Sequence, residues 1–358
     1  GLDISNASLL DEGTAAGEAM ILALNCVKDK KRNVFLVDEN VLPQTLAVLQ
    51  GRAMGFGIEV ITSKLHDNGK ATLPLEHKER IMGVLVQYPD VNGTLVDWAP
   101  LAKEVKELGG LLIAATDLLA LTMIKSPGEW GADVAVGNAG RFGVPPGYGG
   151  PQAGFFAASD AIKRRMPGRL IGVSRDADGR PAYRLSLQTR EQHIRREKAT
   201  SNICTAQALL ANMSAMYAVY HGPRGLRRIA AKVYALTIVL KKQLEQLGAK
   251  VVNRDGAFFD TLTIEAPASK VHKEATAKRI NLRRISDDHV GVTLDETVSV
   301  EDMTDVINSF ARAMSKPEIA AQDLVASTME QGLSAESLDS LSFDTNFART
   351  SPYLTPVS

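Results

Sequence analysis

The sequence predicts an α/β protein in which a large domain with a mostly parallel sheet is followed by a smaller α/β domain. Through the first half, short apolar runs alternate with segments whose apolar residues recur at helical spacing. Predicted strands are residues 34–37, 58–61, 83–87, 111–115, 133–136 and 154–157. Predicted helices between them are residues 43–54 and 98–108. Ligands are expected at the carboxyl ends of such strands.

The second predicted unit follows a long helical region. Apolar residues at helical spacing fill residues 201–220 and 226–247, with a break containing Gly and Pro between them. The strands and helices predicted after this region are residues 250–253, 258–265 and 285–294, and residues 269–279 and 300–314.

These patterns predict three parts. Residues 1–222 are expected to form the large α/β domain, without its leading arm. Residues 223–315 are expected to form a helix and the small α/β domain. Residues 316–358, rich in Ser, Thr, Asp and Glu, are expected to be an extended acidic linker or tail.

Composition points away from nucleic-acid and membrane partners. The chain has 358 residues, with 41 basic and 41 acidic side chains. No apolar run approaches the roughly 20 residues of a membrane span. The histidines show no metal-ligand spacing, so no metal site is predicted. Because the chain begins at Gly1 rather than methionine, we expect a processed chain or an excised fragment.

A glycine-rich segment follows the strand predicted at 133–136. Residues 141–151 contain four glycines and three prolines in eleven positions. Such a composition excludes helix and central strand and predicts a rigid, tightly turned connection. Its backbone can pass close to a ligand or a partner chain.

Several segments together resemble one family. The chain is similar to the first half of the glycine cleavage system P-protein, glycine dehydrogenase (decarboxylating), which has two homologous halves. This resemblance implies the fold of fold-type-I pyridoxal-phosphate enzymes. It rests on residues 5–15, 115–121, 141–151, 166–169, 188–196, 199–205 and 349–355.

The resemblance also assigns a cofactor region. Gly13, Thr14 and Ala15 match the turn that holds the cofactor phosphate, and Asp117 matches the aspartate at the pyridine nitrogen. Gly140 stands where the family's second half has the Schiff-base lysine. We therefore expect vestigial cofactor-binding positions, no catalytic residue, and no pyridoxal phosphate bound by this chain alone. Ordinary helix N-caps are the alternative for the phosphate turn and the aspartate.

A basic segment at residues 190–198 is a candidate interface or substrate channel. A solvated surface loop is the alternative for this segment. The residues assigned to the interface or channel are Arg141, Arg190, His193, Arg195, Arg196, Ser201 and Asn202.

The resemblance implies that the complete enzyme decarboxylates glycine on pyridoxal phosphate and passes the aminomethyl group to the lipoyl H-protein. This half is expected to be non-catalytic, structural and regulatory. Its expected partners are the second half or subunit, the H-protein and further copies of itself. Two alternatives stay open: a self-sufficient pyridoxal-phosphate enzyme using Lys125 or Lys198, and a pure interaction module. The expected location is the mitochondrial matrix in a eukaryote and the cytoplasm in a bacterium.

Overall fold

The central sheet has seven strands in the described part of the chain. A computed structural model describes residues 1–29, 31–67, 69–199, 203, 206–324 and 335–355. The strand order of this sheet is β1-β9-β8-β7-β6-β2-β3. The strands among the described residues are β1 (Ile4–Ser5), β2 (Val34–Asp38), β3 (Glu59–Ser63), β4 (His66–Asp67), β5 (Lys70–Ala71), β6 (Ile81–Tyr88), β7 (Leu111–Thr116), β8 (Val134–Asn138), β9 (Gly154–Ala158), β10 (Leu170–Arg175), β11 (Pro181–Ser186), β12 (Lys250–Val251), β13 (Thr261–Glu265), β14 (Arg283–Arg284) and β15 (His289–Thr293).

The middle of this sheet is parallel. Strands β3, β2, β6, β7 and β8 run in one direction, whereas β9 is antiparallel to β8 and β1 is antiparallel to β9. Every residue of β2 and β6 is buried, which is why both read as nearly unbroken apolar runs. The six predicted strands of the first half are confirmed. The carboxyl ends of β6, β7 and β8 lie side by side at one edge.

Helices cover both faces of this sheet. Helix α1 packs on one face through small side chains that include Ala15, Ala19 and Ala23. The helices predicted at 43–54 and 98–108 are confirmed as α2 and α3, each with a proline in its first turn. The described α-helices are α1 (Glu12–Cys26), α2 (Pro43–Ala53), α3 (Ala99–Glu107), α4 (Gln192–Arg195), α5 (Ala208–Gln246), α6 (Ala268–Ala277), α7 (Val300–Ala313) and α8 (Ala335–Ser340).

The long helical region predicted from the sequence is α5, and the break predicted within it is confirmed. Two helices meet at a kink at Gly222, where φ is 62° and ψ is 178° and the backbone is not helical. Only glycine adopts this backbone conformation at low cost, and Pro223 then removes one backbone donor. The helix starts at Ala208, later than predicted. Among the described residues, every helix is too short or too polar to cross a lipid bilayer.

The first part of α5 carries an exposed apolar face. Residues spaced by one or two turns point to solvent on the same side of the helix. We call this set the exposed α5 face; it consists of Leu209, Met213, Met216, Val219 and Tyr220.

A second, smaller sheet is antiparallel, with the order β12-β13-β15-β14, and packs with α6 and α7. This confirms the predicted second α/β unit. The N-cap residue of helix α7 is Ser299, whose side chain forms a reciprocal capping box with Asp302. Backbone contacts between Thr94 and Phe258, and between Leu95 and Ala257, join this unit to the large sheet.

The described part of the segment after residue 315 lies against the body of the molecule. Asp339 of α8 pairs with Arg224 at 2.8 Å and with Arg228 at 2.7 Å. Further along, Arg349 Nη1 donates to the Leu121 carbonyl at 2.7 Å. The division into three parts stays a prediction, and these contacts add that the third part makes ordered interactions.

The sequence analysis missed the hairpin formed by β10 and β11. It stands apart from both larger sheets, and Ile171, Val173 and Tyr183 on it are exposed. Asp178 and Gly179 in its turn are a hairpin signal that the sequence carries.

Candidate functional site

A cavity of about 720 Å³ lies at the carboxyl ends of β6, β7 and β8. Gln87, Asp117 and Asn138 reach it from these strand ends. The glycine-rich segment lies along another side, and Asp295 and Glu296, which follow β15, approach from the small sheet. The cavity therefore lies where ligands bind in open α/β sheets.

Gly140 lies on the wall of this cavity, in a short 3-10 turn directly after β8. Its backbone N–H donates to Asn138 Oδ1 at 2.8 Å, so Asn138 caps the turn. A Cβ atom added at Gly140 would lie 3.3 Å from that same Oδ1. The position has room for a small side chain, with a slight shift of Asn138.

The next residue brings two carboxylates together. Arg141 Nη1 lies 2.5 Å from Asp260 Oδ2 and 3.3 Å from Asp117 Oδ2. Asp117 comes from the end of β7 and Asp260 from the start of β13, so the arginine links the two sheets. We call these three residues the Arg141 triad. The second oxygen of Asp117 accepts the Leu119 N–H at 2.8 Å, so both of its oxygens have partners within the chain.

Burial sets the electrostatics of the triad. It raises the pKa of Asp117, and Arg141 opposes this shift while Asp260 adds to it. Burial alone would lower the pKa of Arg141, but the charges of Asp117 and Asp260 outweigh burial and raise it. The arginine is therefore a permanent cation that holds two carboxylates in place.

The amino terminus of α1 is already capped. Asp11 Oδ1 accepts the Thr14 N–H at 2.7 Å, so Asp11 is the N-cap residue of this helix. Gly13 packs close to Val48, and Ala15 is fully buried. None of Gly13, Thr14 and Ala15 lines the cavity, and the residue of this turn that does so is Glu12.

The carboxyl group of Glu12 has a raised pKa. Burial raises its pKa to about 7, against a lowering contribution from the Gln87 amide, and Asp117 and Asp11 raise it further. A carboxylate at this helix end repels a phosphate group, although the helix terminus itself attracts anions.

The basic segment lies away from the cavity. Arg190 is buried and donates to the carbonyls of Met166 and Gly168, so its charge holds a loop together. His193, Arg195 and Arg196 are exposed, and none of them lines the cavity. The remaining two interface candidates, Ser201 and Asn202, lie outside the described residues.

The structure thus brings together three of the residues singled out from the sequence: Gly140, Arg141 and Asp117. Sequence reasoning missed Glu12, Gln87, Asp260, Asp295 and Glu296. Gln87 carried a usable signal, because it is a lone polar residue near the end of an otherwise apolar strand. The other four are acids beside turns or strand ends, a position that many surface residues share.

Pyridoxal phosphate, which the resemblance implies, does not fit the residues present. No lysine lines the cavity within the described part of the chain. The aspartate that would face the pyridine nitrogen is bound to Arg141, and the helix terminus that would hold the phosphate carries Asp11 and Glu12. Nor do the described residues contain a group of three or more His, Cys, Asp or Glu side chains placed to hold a metal ion.

Comparisons with known proteins identify the family. Residues 1–310 match the family described as glycine cleavage system P-protein. A Schizosaccharomyces pombe protein named as a mitochondrial glycine dehydrogenase (decarboxylating) is 54% identical over 358 residues, 99% of this chain and 34% of that protein. The glycine dehydrogenase (decarboxylating) of Paraburkholderia xenovorans is 52% identical over 99% of this chain and 35% of its own length. The chain spans about a third of the length of the curated relatives it matches.

Structural similarity to solved proteins supports the same family. An inhibitor-bound crystal structure of glycine decarboxylase (P-protein) of the glycine cleavage system has a TM-score of 0.79 at 34% identity, covering 87% of this chain and 72% of that chain. A C-DES structure with glycine covalently linked to its pyridoxal-phosphate cofactor shares the fold, with a TM-score of 0.61 at 13% identity over 88% of this chain and 81% of that one. The fold is that of fold-type-I pyridoxal-phosphate enzymes, and the chain belongs to the glycine cleavage system P-protein family.

Proposed function

We propose that this chain is a large piece of the amino-terminal half of a glycine dehydrogenase (decarboxylating), and that this half is non-catalytic, structural and regulatory. The complete enzyme then decarboxylates glycine on pyridoxal phosphate held by the second half, and passes the aminomethyl group to the lipoyl H-protein. The observation that carries the proposal is the Arg141 triad beside Gly140. Where a catalytic half needs a lysine and a free aspartate, this chain has a glycine and a carboxylate bound to arginine.

The exposed α5 face supports the second half as the main partner. Apolar side chains clustered on one side of a helix mark an interaction surface more often than isolated ones do. On the opposite side of this helix, Ser214 Oγ donates to the Ala139 carbonyl at 3.2 Å, and Tyr217 stacks on Phe142. A partner bound at the exposed α5 face is therefore one helix away from the cavity wall. A partner that moves this helix would therefore also move the cavity wall, which is how the chain could act as a regulatory part.

The exposed part of the basic segment supports a role in docking. His193, Arg195 and Arg196 form a cationic surface that can attract the carboxylate of glycine or an acidic carrier protein. We propose that this surface supports the approach of the H-protein. The location proposed for the enzyme is the mitochondrial matrix in a eukaryote and the cytoplasm in a bacterium. The S. pombe relative is named as a mitochondrial protein, which supports the first of these.

A pure interaction module is the second candidate. It is favoured by the internal pairing of Asp117, which leaves no free acid at the expected cofactor position. A self-sufficient enzyme has less support. Lys125 and Lys198 do not line the cavity, and Lys198 is exposed on the basic segment.

Exchange of labelled bicarbonate into glycine tests the proposal. The chain alone is expected to give no exchange, and addition of a second-half chain from a relative is expected to give exchange that depends on both chains. Exchange by this chain alone, abolished by borohydride, would contradict the proposal and indicate a self-sufficient enzyme. Binding of the second half without any gain in exchange would indicate a pure interaction module.

A further inference from the structure

The cavity contains polar atoms that the Arg141 triad does not satisfy. Glu12 Oε1, Gln87 Oε1 and Arg141 Nη2 are buried and have no hydrogen-bond partner among the described residues. Gln87 is 6% exposed, and all three residues line the cavity. A buried polar atom without a partner costs roughly 1–3 kcal/mol, so three in one cavity point to an occupant that bonds to them.

The charges of the cavity limit what that occupant can be. Among the described residues, its ionisable lining consists of Glu12, Asp117, Asp295 and Glu296 together with one basic side chain, Arg141. The positive charge of Arg141 is already shared between Asp117 and Asp260, which leaves the cavity with excess negative charge. An anion such as a phosphate or a carboxylate is repelled there, and a cation is attracted.

We propose that this cavity binds a small organic amine in its protonated form. The ammonium group donates to Glu12 Oε1 and Gln87 Oε1, the two unpartnered acceptors. An oxygen of the same ligand accepts from Arg141 Nη2, the unpartnered donor. Apolar side chains, among them Leu42 and Val144, line other parts of the cavity and are suited to the carbon atoms of the ligand.

Ligand binding should depend on pH in a defined direction. Burial raises the pKa of Glu12 to about 7. The groups that act on it are Gln87 from β6, Asp117 from the end of β7, and Asp11 beside it at the start of α1. Since an ammonium group is held best by a carboxylate, binding strengthens as the pH rises through this pKa and weakens as the pH falls.

Calorimetric titration of the 358-residue chain with three matched probes tests the site. Ethanolamine is a cation with a hydroxyl group, ethylene glycol is its neutral counterpart, and glycolate is its anionic counterpart. We expect ethanolamine to bind and the other two to bind at least tenfold more weakly. Binding of ethanolamine should strengthen several-fold between about pH 6 and about pH 8. Equal affinity for all three probes, or no binding of ethanolamine, would overturn the proposal.

A pair of variants locates the binding. Glu12→Gln is expected to weaken ethanolamine binding at least tenfold. Glu301→Gln makes the same change in the first turn of α7, at an exposed position, and is expected to leave binding unchanged. An unaltered affinity in a folded Glu12→Gln variant contradicts the site. If that variant fails to fold, the pH dependence of the unmodified chain decides: an affinity independent of pH overturns the proposal.

Discussion

The cavity of the large sheet and the exposed α5 face use their side chains in opposite ways. In the cavity, Arg141 holds Asp117 and Asp260, so charges that could meet a cofactor are bound within the chain. On the α5 face, Met216 and Val219 are 64% and 75% exposed. Carboxylates that are paired with an internal arginine are unavailable to a pyridoxal-phosphate cofactor, whereas burying exposed apolar groups under a partner is favourable in free energy. This difference supports the proposal that the chain binds another chain rather than pyridoxal phosphate.

Removing Arg141 tests the first part of this comparison, the internal pairing of charges in the cavity, and has the largest expected effect. Arg141→Ala leaves two buried carboxylates without a cation, so we expect a loss of about 3–5 kcal/mol in the free energy of unfolding. Denaturant titration followed by circular dichroism measures it. Arg180→Ala, at an exposed pair with Asp178, is the matched control and should change stability by about 0.5 kcal/mol or less. Equal stability of the two variants would show that the triad does not hold the sheets together.

Placing charges on the exposed α5 face tests the other part of this comparison, the burial of these apolar side chains by a partner. We expect the isolated chain to self-associate, and Met216→Glu with Val219→Glu to weaken association at least tenfold, because the apolar area can no longer be buried. Light scattering over a range of concentrations measures this. The control is Leu75→Glu, at an apolar residue 84% exposed elsewhere on the surface, which should leave association unchanged. A monomeric chain at all concentrations would contradict the interface.

A titration of stability sharpens the description of the cavity. Because the pKa of Glu12 is raised in the folded chain, the folded state binds more protons than the unfolded state between about pH 4.5 and about pH 7. Its contribution to stability is therefore present at low pH and lost as the pH rises through 7. Glu12→Gln should flatten this decline by about 1 kcal/mol per pH unit. Denaturant midpoints across that range measure how steeply stability falls with pH. If this decline is the same in Glu12→Gln and Glu301→Gln, the pKa of Glu12 is not raised by burial.

The smallest effect on stability is expected in the basic segment. Arg195→Ala with Arg196→Ala should change the free energy of unfolding by about 0.5 kcal/mol or less, because both side chains are exposed. With the second half and the lipoyl carrier present, turnover should fall and depend less on salt. Lys270→Ala with Lys273→Ala, which removes two exposed charges from α6, should leave turnover unchanged. If the two double variants have the same turnover and the same salt dependence, the basic segment has no role in docking.

Much of the fold could be predicted because parallel strands carry a strong signal. Strands such as β2 and β6 are buried on both faces, so their composition alone marks them. The positions of Asp117 and Gly140 at the cavity followed from the strands that precede them. The break between the two helices of α5 could also be predicted, because Gly222 and Pro223 disfavour a continuous helix, and the kink at Gly222 confirms it.

The charge pairing in the site could not be predicted. Asp260 is 119 residues from Arg141 and lies at the start of a strand in the other sheet. Its role depends on how the two sheets pack, which no local pattern encodes. Arg190 shows the reverse case: it looked like one of several surface cations, yet it is buried and bound to two backbone carbonyls.

The most direct test of the central claim is whether the chain forms a Schiff base with pyridoxal phosphate. The purified chain, mixed with the cofactor, is reduced with borohydride and digested, and the modified lysines are mapped by mass spectrometry. We expect no stoichiometric modification, in the natural sequence or in Arg141→Ala, because Gly140 provides no amine in the cavity. A single lysine modified in nearly every molecule, with the visible absorbance of an internal Schiff base before reduction, would contradict it.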